Sequence, residues 1–212
     1  MRKINLLVII CILFSVLVWL LDSDLIVEYL AFSGSNLLKG RLWTLITSLF
    51  LHGDIMHLVG NMLFLYIFGN TLEEELGARK TFAAFFIGGI VTFPLSLIFY
   101  DWSTPLIGAS AAIFTLAAIV MLIKPLKLSI FFFLPQGLVA ILYFLYNAIE
   151  VYSGAEGNIA YSAHIIGFGI GVLFGLLWSK KWLKNLLISI ALLIVYAVVV
   201  SFVVPLILGV IA

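Results

Sequence analysis

The stretch "AHIIGFGIG", residues 163–171, places one histidine and three glycines in an otherwise apolar run. Residues three or four apart lie on the same face of a helix, so His164, Gly167 and Gly171 share one face. Small residues at this spacing let membrane helices approach closely. The pattern therefore predicts a helix whose glycine face packs on a neighbour and turns His164 toward that neighbour.

The composition is that of a membrane protein. Of the 212 residues, 65% are hydrophobic and 10% are charged, against about 25% charged residues in a soluble domain. The net charge of +1 gives no reason to expect nucleic acid, and the single cysteine, Cys11, excludes an internal disulfide. We expect an all-α, polytopic helix bundle in a lipid bilayer, with no cofactor.

Several segments are long enough to cross a bilayer, which takes roughly 20 apolar residues. The predicted spans are residues 4–21, 56–72, 81–100, 107–123, 128–149, 161–179 and 185–210. The first follows Arg2 and Lys3 as a signal peptide does, but no small-residue cleavage site follows it. We interpret this segment as a retained helix.

The basic residues orient this array. With the N-terminus in the cytoplasm, nine of the eleven fall on the cytoplasmic side, as the positive-inside rule expects, and Lys39 and Arg41 fall outside. The nine are Arg2, Lys3, Arg79, Lys80, Lys124, Lys127, Lys180, Lys181 and Lys184. The second, fourth and sixth spans then run inward, so His57, Ser110 and His164 all lie near the outer end at similar depth.

Ser110 stands among small residues in "GASAAIF", residues 108–114. We expect such a surface to accept the glycine face of the sixth span, an arrangement that would allow Ser110 and His164 to reach hydrogen-bonding distance. A serine nucleophile and its general base require that distance.

Other interpretations of these residues remain open. A serine in a membrane helix can bond its own backbone or help packing. His57 and Asn61 share one helical face and can cap or cross-link helices. A metal site from His52, His57 and His164 is disfavoured, because a spacing of five does not put His52 and His57 on one face, so we expect no metal.

Four motifs in order resemble one family, the rhomboid intramembrane serine proteases. They are "FLHGDIMHLVGNM" (50–62), "GNTLEEELG" (69–77), "GASAAIF" (108–114) and "AHIIGFGIG" (163–171). The resemblance extends from the first span through the sixth. It implies a six-helix core over residues 1–183 and an additional C-terminal transmembrane helix over 184–212.

The resemblance also implies roles for individual residues. Ser110 corresponds to the nucleophile and His164 to its general base, with no aspartate as a third member. His57, Asn61 and the backbone N–H of Ser110 correspond to the donors of an oxyanion hole. Phe114 matches the aromatic residue that packs against the catalytic histidine.

Supporting positions match as well. Glu73 and Gly77 correspond to residues that steady the cytoplasmic end of the second span, and His52 corresponds to a structural histidine. The supporting glycines are Gly108, Gly167 and Gly171. The long loop 22–55 matches an interfacial hairpin, and the loop near 149–161 matches a mobile cap.

Two positions depart from the family pattern. Ala111 stands where glycine is frequent, and its extra volume can shift helix packing or narrow the specificity pocket. Thr44 follows Trp43 where arginine is common, which leaves Arg41 to anchor the hairpin.

The implied function is hydrolysis of peptide bonds within or next to transmembrane segments of membrane proteins, with single-span proteins as substrates. The implied location is a prokaryotic cell membrane, with the site near the outer face. Two other classes compete: a rhomboid-like protein that binds membrane proteins without cutting them, which would lack Ser110 or His164, and a small polytopic transporter, which would need a polar path deeper in the membrane.

Overall fold

The computed structural model describes residues 2–21, 23–154 and 159–207, which form a bundle of helices with one short hairpin. The elements are α1 (Ile4–Trp19), α2 (Ser23–Leu30), α3 (Gly34–Leu38), α4 (Thr44–Thr47), α5 (Ile55–Leu76), α6 (Ala78–Ser96), α7 (Ser110–Ile123), β1 (Leu128–Ser129), β2 (Leu134–Pro135), α8 (Gln136–Tyr152), α9 (Tyr161–Trp178), α10 (Trp182–Val198) and α11 (Val204–Ile207). A 3₁₀ turn, Ser48–Phe50, follows α4, and a π-helical stretch, Val199–Val203, joins α10 to α11. The predicted all-α bundle is confirmed.

Helix α7 is the centre of the bundle. Every residue from Ser110 to Leu122 is buried, because α5, α6, α8 and α9 all pack around it. A helix that is apolar on every side is expected in such a position. Its 14 residues extend about 21 Å at a rise of about 1.5 Å per residue, which is less than the roughly 30 Å of a bilayer's hydrocarbon core.

Three helical runs of the described residues are long and apolar enough to cross a membrane: α5, α9 and the continuous run Trp182–Ile207. Helices α1, α7 and α8 are apolar but shorter. The count of seven spans therefore stays a prediction. The last predicted span, 185–210, reaches residues 208–210, which lie outside the described residues.

The predicted fifth span, 128–149, is wrong at its start. Strands β1 and β2 pair antiparallel there, with Leu128 opposite Pro135, and α8 begins only at Gln136. A residue before proline is kept out of the helical region, so a helix is favoured to begin after Pro135 rather than before it. Phe133 also adopts a φ of +53°, which a right-handed helix does not contain.

The predicted fourth span, 107–123, starts too early. Helix α7 begins at Ser110, and Gly108 before it has a φ of +112°. This left-handed conformation favours glycine and interrupts a helix. Ser110 is therefore the first residue of its helix rather than a residue one turn inside it.

The long outer loop folds into short helices that Arg41 ties together. Its guanidinium donates to Asn36 Oδ1 at 3.0 Å and pairs with Glu28 at 3.2 Å. It also lies over the Tyr29 ring, 4.2 Å from the centroid. Trp43 Nε1 donates to the Tyr29 carbonyl at 2.8 Å. These contacts link α2 to the segment before α4.

Helix α10 is the most exposed of the long helices, and Ser189 is its buried residue. It joins the bundle through Asn185, whose Nδ2 donates to the carbonyls of Leu122 and Ile123 at 2.8 and 3.0 Å. The carbonyl groups at the end of α7 receive no hydrogen bond from an N–H group of that helix, and Asn185 supplies the missing donor. The division of the chain at residues 183 and 184 stays a prediction.

Candidate active site

Ser110 begins α7, and the chain before it approaches in a non-helical conformation. Gly108 donates its N–H to the Ser48 carbonyl at 2.8 Å, which fixes the turn that leads into the helix. Because Ser110 is the first residue of α7, its own N–H has no acceptor within the helix. Ser110 therefore brings a hydroxyl and a backbone donor to the same place.

Helix α9 meets α7 through the glycine face predicted from the spacing. The Cα of Gly167 lies against the Ala111 carbonyl and that of Gly171 against the Thr115 carbonyl, and neither position has room for a Cβ. Thr115 Oγ1 reinforces the contact by donating to the Gly167 carbonyl at 2.8 Å. The backbones of α7 and α9 thus lie in direct contact in the turns of α9 that follow His164.

This contact brings His164, in the first turn of α9, beside Ser110. His164 Nε2 lies 2.7 Å from Ser110 Oγ. The two residues are 7% and 8% exposed, so water competes little with their hydrogen bond. A buried serine–imidazole pair at this distance has the geometry of a nucleophile and its general base.

A third side chain, Asn147 of α8, completes the surroundings of the imidazole. Its Oδ1 lies 2.7 Å from His164 Nδ1. Sequence reasoning did not single out this residue, because the resemblance implies a pair of Ser110 and His164 without a third member. The available signal was an amide in an apolar helix, near the end of α8 that adjoins the start of α9, since polar groups in membrane helices are rare and usually functional.

Phe114 lies one turn after Ser110 and covers one face of the imidazole. Its ring stacks on His164 with centroids 4.6 Å apart and planes 11° apart. Tyr143 stacks on the other face of Phe114 at 4.1 Å. The imidazole is therefore bounded by one hydrogen bond at each nitrogen and by an aromatic ring on its face.

His57 approaches the same place from the first turn of α5. Asp54 caps this helix by accepting from the His57 N–H at 2.8 Å, as N-cap aspartates do. The Gly53 N–H points at His57 Nδ1 over 3.4 Å, which places the proton of a neutral ring on Nε2. A Cβ on Gly108 would lie 2.7 Å from that Nε2, so a glycine is needed there for steric reasons also.

Asn61 lies one helical turn beyond His57 and also faces Gly108. A Cβ at Gly108 would be 3.5 Å from Asn61 Nδ2. This amide nitrogen is buried and has no hydrogen-bond partner among the described residues. An unpaired buried donor costs free energy, about 1–3 kcal/mol, so it is a group that a bound acceptor would satisfy.

His52 occupies a separate, structural position behind His57. Its Nδ1 lies 2.9 Å from Ser15 Oγ on α1, and its ring edge faces the His57 ring at 5.1 Å. Burial lowers the pKa of His52 to about 3, so the ring is neutral at neutral pH. Within residues 2–21, 23–154 and 159–207 no group of three His, Cys, Asp or Glu side chains could hold a metal.

Comparison with known families identifies the chain. A family model described as the Rhomboid domain matches residues 39–181, which is more than half of the 212 residues. The chain belongs to the rhomboid family.

Individual rhomboid relatives are moderately similar. Rhomboid-like protease 3 of Toxoplasma gondii is 39% identical over 72 residues, which are 34% of this chain and 27% of that protein. RHOMBOID-like protein 12, mitochondrial, of Arabidopsis thaliana is 30% identical over 158 residues, 65% of this chain and 47% of that protein. Rhomboid protease GlpG of Serratia proteamaculans is 24% identical over 171 residues, 77% of this chain and 58% of that protein. The chain thus spans between about a quarter and three fifths of these relatives.

Rhomboid membership together with the apolar helices identifies a multi-pass membrane protein.

At the end of α5 away from His57, Glu73 accepts from the backbone N–H groups of Lys3 and Ile4 at 2.9 and 2.7 Å. Gly77 ends α5 with a φ of +80°. Glu73 therefore anchors the start of α1 to the end of α5, and its supporting role stays a prediction.

The two departures from the rhomboid pattern have different surroundings. Ala111 is buried in the α7–α9 contact, with its carbonyl against Gly167. Thr44 is buried and its hydroxyl donates to the Arg41 carbonyl at 2.7 Å. Arg41 contacts Glu28, Tyr29 and Asn36 within the hairpin, and its role in place of the family arginine stays a prediction. Of the predicted cap, residues 155–158 lie outside the described residues.

Proposed function

We propose that this chain is a serine endopeptidase that hydrolyses peptide bonds within or next to transmembrane segments of membrane proteins. The observation that carries the proposal is the 2.7 Å contact between His164 Nε2 and Ser110 Oγ in a buried site of a rhomboid chain. The proposed substrates are transmembrane proteins with a single span.

In the proposed reaction, His164 Nε2 accepts the proton of the Ser110 hydroxyl while Oγ attacks the scissile carbonyl carbon. The imidazolium then gives this proton to the leaving amine, and an ester with Ser110 remains. Water attacks this ester with His164 again as the base, which releases the new carboxylate and restores the serine.

The carbonyl oxygen becomes negative during both attacks and needs donors. The Asn61 amide nitrogen, which has no partner among the described residues, is proposed as one donor. His57 Nε2 and the Ser110 N–H at the start of α7 are proposed as the others. One such donor is worth about 3 kcal/mol, or 10²–10³ in rate. Neutral donors avoid a buried net charge in a medium of low dielectric constant.

Hydrolysis of the ester requires water, so the position of the site relative to the membrane surface matters. Ser110 and His164 lie near the starts of α7 and α9, at one end of the bundle rather than at its middle. We propose that this end lies near the outer face of a prokaryotic cell membrane. The distribution of the basic residues supports the orientation with the N-terminus in the cytoplasm. A substrate must present an unwound segment there, since a helix occupies its carbonyls with internal hydrogen bonds.

The test is cleavage of a tagged single-span protein whose span has small or helix-weakening residues near its outer end. Wild type is compared with Ser110→Ala and His164→Ala, and with Ser96→Ala as a matched control. Ser96 is a buried serine whose hydroxyl donates to the Thr92 carbonyl of its own helix. We expect both site variants to lose about 10⁴-fold or more of the rate, and Ser96→Ala to keep it.

Equal cleavage by all four proteins would contradict the assignment of Ser110 and His164. If none cleaves, labelling with a fluorophosphonate separates two cases. Labelled wild type means that the reporter is not a substrate, whereas unlabelled wild type means a rhomboid-like protein that binds without cutting.

A further inference from the structure

The inference concerns Asn147, a buried amide on α8 that touches the side of His164 away from Ser110. Asn147 is 1% exposed. Oδ1 lies 2.7 Å from His164 Nδ1, and Nδ2 donates to the Tyr143 carbonyl, four residues earlier, also at 2.7 Å. Both ends of the amide are therefore engaged, and with different partners.

The Tyr143 carbonyl determines which way the amide points. A carbonyl oxygen can only accept, so the NH₂ group of Asn147 must face it, and the opposite orientation would bring two oxygens together. Oδ1 consequently faces His164. Because Oδ1 also can only accept, the proton of this contact belongs to His164 Nδ1.

This proton assignment determines the state of the reactive nitrogen. A neutral imidazole carries one proton, so a proton on Nδ1 leaves Nε2 bare. A bare Nε2 facing the Ser110 hydroxyl is the tautomer that a general base requires. The Tyr143 carbonyl thus orients the Asn147 amide, the amide determines which nitrogen of His164 is protonated, and the bare nitrogen faces the Ser110 hydroxyl.

We propose that Asn147 is the positioning residue of a Ser110–His164–Asn147 chain, holding His164 in the tautomer and orientation that activate the serine. The role rests on the proposed function. Phe114 restrains the ring plane by stacking, but a stacked ring leaves the choice of protonated nitrogen open. Asn147, which lies on a different helix, α8, determines which nitrogen carries the proton.

An amide suits this position better than a carboxylate on electrostatic grounds. A buried carboxylate would bring an uncompensated charge into an apolar helix, whereas the amide orients the ring without net charge. The amide also stabilises the imidazolium less than an anion does. We therefore expect a smaller loss on its removal than the about 10⁴-fold loss when a serine-protease triad has its aspartate replaced by asparagine.

The alternative is that Asn147 merely ties α8 to α9. Nitrogen-15 NMR distinguishes the two roles, since protonated and bare imidazole nitrogens resonate far apart. The chain has three histidines, so histidine-labelled protein in detergent gives a spectrum in which His164 is assigned by its absence in His164→Ala. The variants are Asn147→Leu, which removes the acceptor, and Asn147→Asp, which keeps one.

The matched control is Asn70→Leu. Asn70 is also a buried asparagine that donates to the carbonyl four residues earlier, Tyr66 O at 2.7 Å, but its second partner is Asn5 on α1. It makes the same local bond without contacting His164.

We expect wild type, Asn70→Leu and Asn147→Asp to carry the His164 proton on Nδ1, and Asn147→Leu to move it to Nε2, toward Ser110. In cleavage assays, Asn147→Leu should lower kcat about 10- to 100-fold relative to Asn70→Leu, with KM unchanged. Asn147→Asp keeps the acceptor for Nδ1 but puts an oxygen beside the Tyr143 carbonyl, so its kcat should lie between those of Asn147→Leu and wild type.

Wild type protonated on Nε2 would overturn the proposal, as would a folded Asn147→Leu with unchanged tautomer and kcat. If Asn147→Leu does not fold, Asn147→Asp and wild type still decide the tautomer. Failure of the proposed function is a distinct result: fluorophosphonate then fails to label wild type, while the NMR spectra report whether Asn147 sets the tautomer.

Discussion

Helix α7 meets two of its neighbours, α9 and α8, in different ways. Against α9 the contact is backbone on backbone, with Gly167 and Gly171 seated on carbonyls of α7. Against α8 the contact is made by side chains, as in the stack of Phe114 on Tyr143. The reacting pair spans the first contact, and Phe114, whose ring stacks on the imidazole of that pair, belongs to the second.

The difference teaches where the site is rigid and where it can adapt. A backbone cannot move aside without shifting its helix, so the α7–α9 contact fixes the distance between Ser110 and His164. Side chains can change rotamer, so the α7–α8 contact can adjust by small steps. Substitutions of similar size should therefore have unequal effects at the two contacts.

The largest effect is expected for Gly167→Ala. The added methyl would meet the Ala111 carbonyl oxygen and backbone, which forces the two helices apart. Overpacking of this kind typically costs about 1–3 kcal/mol in unfolding free energy, and a shift of about 1 Å at the dyad can cost about 10²-fold in rate. Thermal unfolding in detergent and cleavage of the single-span reporter measure the two effects.

The matched control lies two residues away on the same helix. A Cβ at Gly169 meets nothing within 4 Å, so Gly169→Ala should preserve stability and cleavage. If both variants behave alike, the α7–α9 contact is not the rigid element of the site.

A middle-sized effect is expected for Phe114→Leu. Leucine keeps an apolar side chain but ends the stack with His164, and an aromatic pair is worth about 0.5–1.5 kcal/mol beyond its buried area. Cleavage should fall by roughly the same free energy, about 3- to 10-fold, since neighbouring side chains can repack. A loss as large as that of Gly167→Ala would mean that the α8 side of the site is equally rigid.

The smallest effect is expected for Thr115→Val. It keeps the shape of the side chain and removes the bond from Oγ1 to the Gly167 carbonyl, so the unfolding free energy should fall by about 1 kcal/mol. The backbone contact stays, and the cleavage rate should change less than twofold.

Thr92→Val is the comparison for that variant. Thr92 Oγ1 is buried and has no hydrogen-bond partner among the described residues, so its removal should leave stability unchanged or raise it. Equal losses for Thr115→Val and Thr92→Val would show that the bond between α7 and α9 contributes nothing.

Much of this arrangement could be predicted from local patterns. Counting spans put His57, Ser110 and His164 at one depth, and the helical period placed the glycines on the face of His164. The fifth span was predicted to begin eight residues too early, because an apolar run such as Ile130–Leu134 looks the same in a hairpin as in a helix. Asn147 was missed because its partner depends on how α8 is rotated against α9.

The sequence by itself determined the membrane class, the helical bundle, the family and the order of the polar residues along the chain, since hydropathy, spacing and motif are properties of nearby residues. Tertiary structure alone decided that α7 begins at Ser110, that Asn61 keeps a donor without a partner among the described residues, and that Asn147 faces His164. These features depend on distances between helices that are far apart in the chain, and such distances arise only when the helices pack.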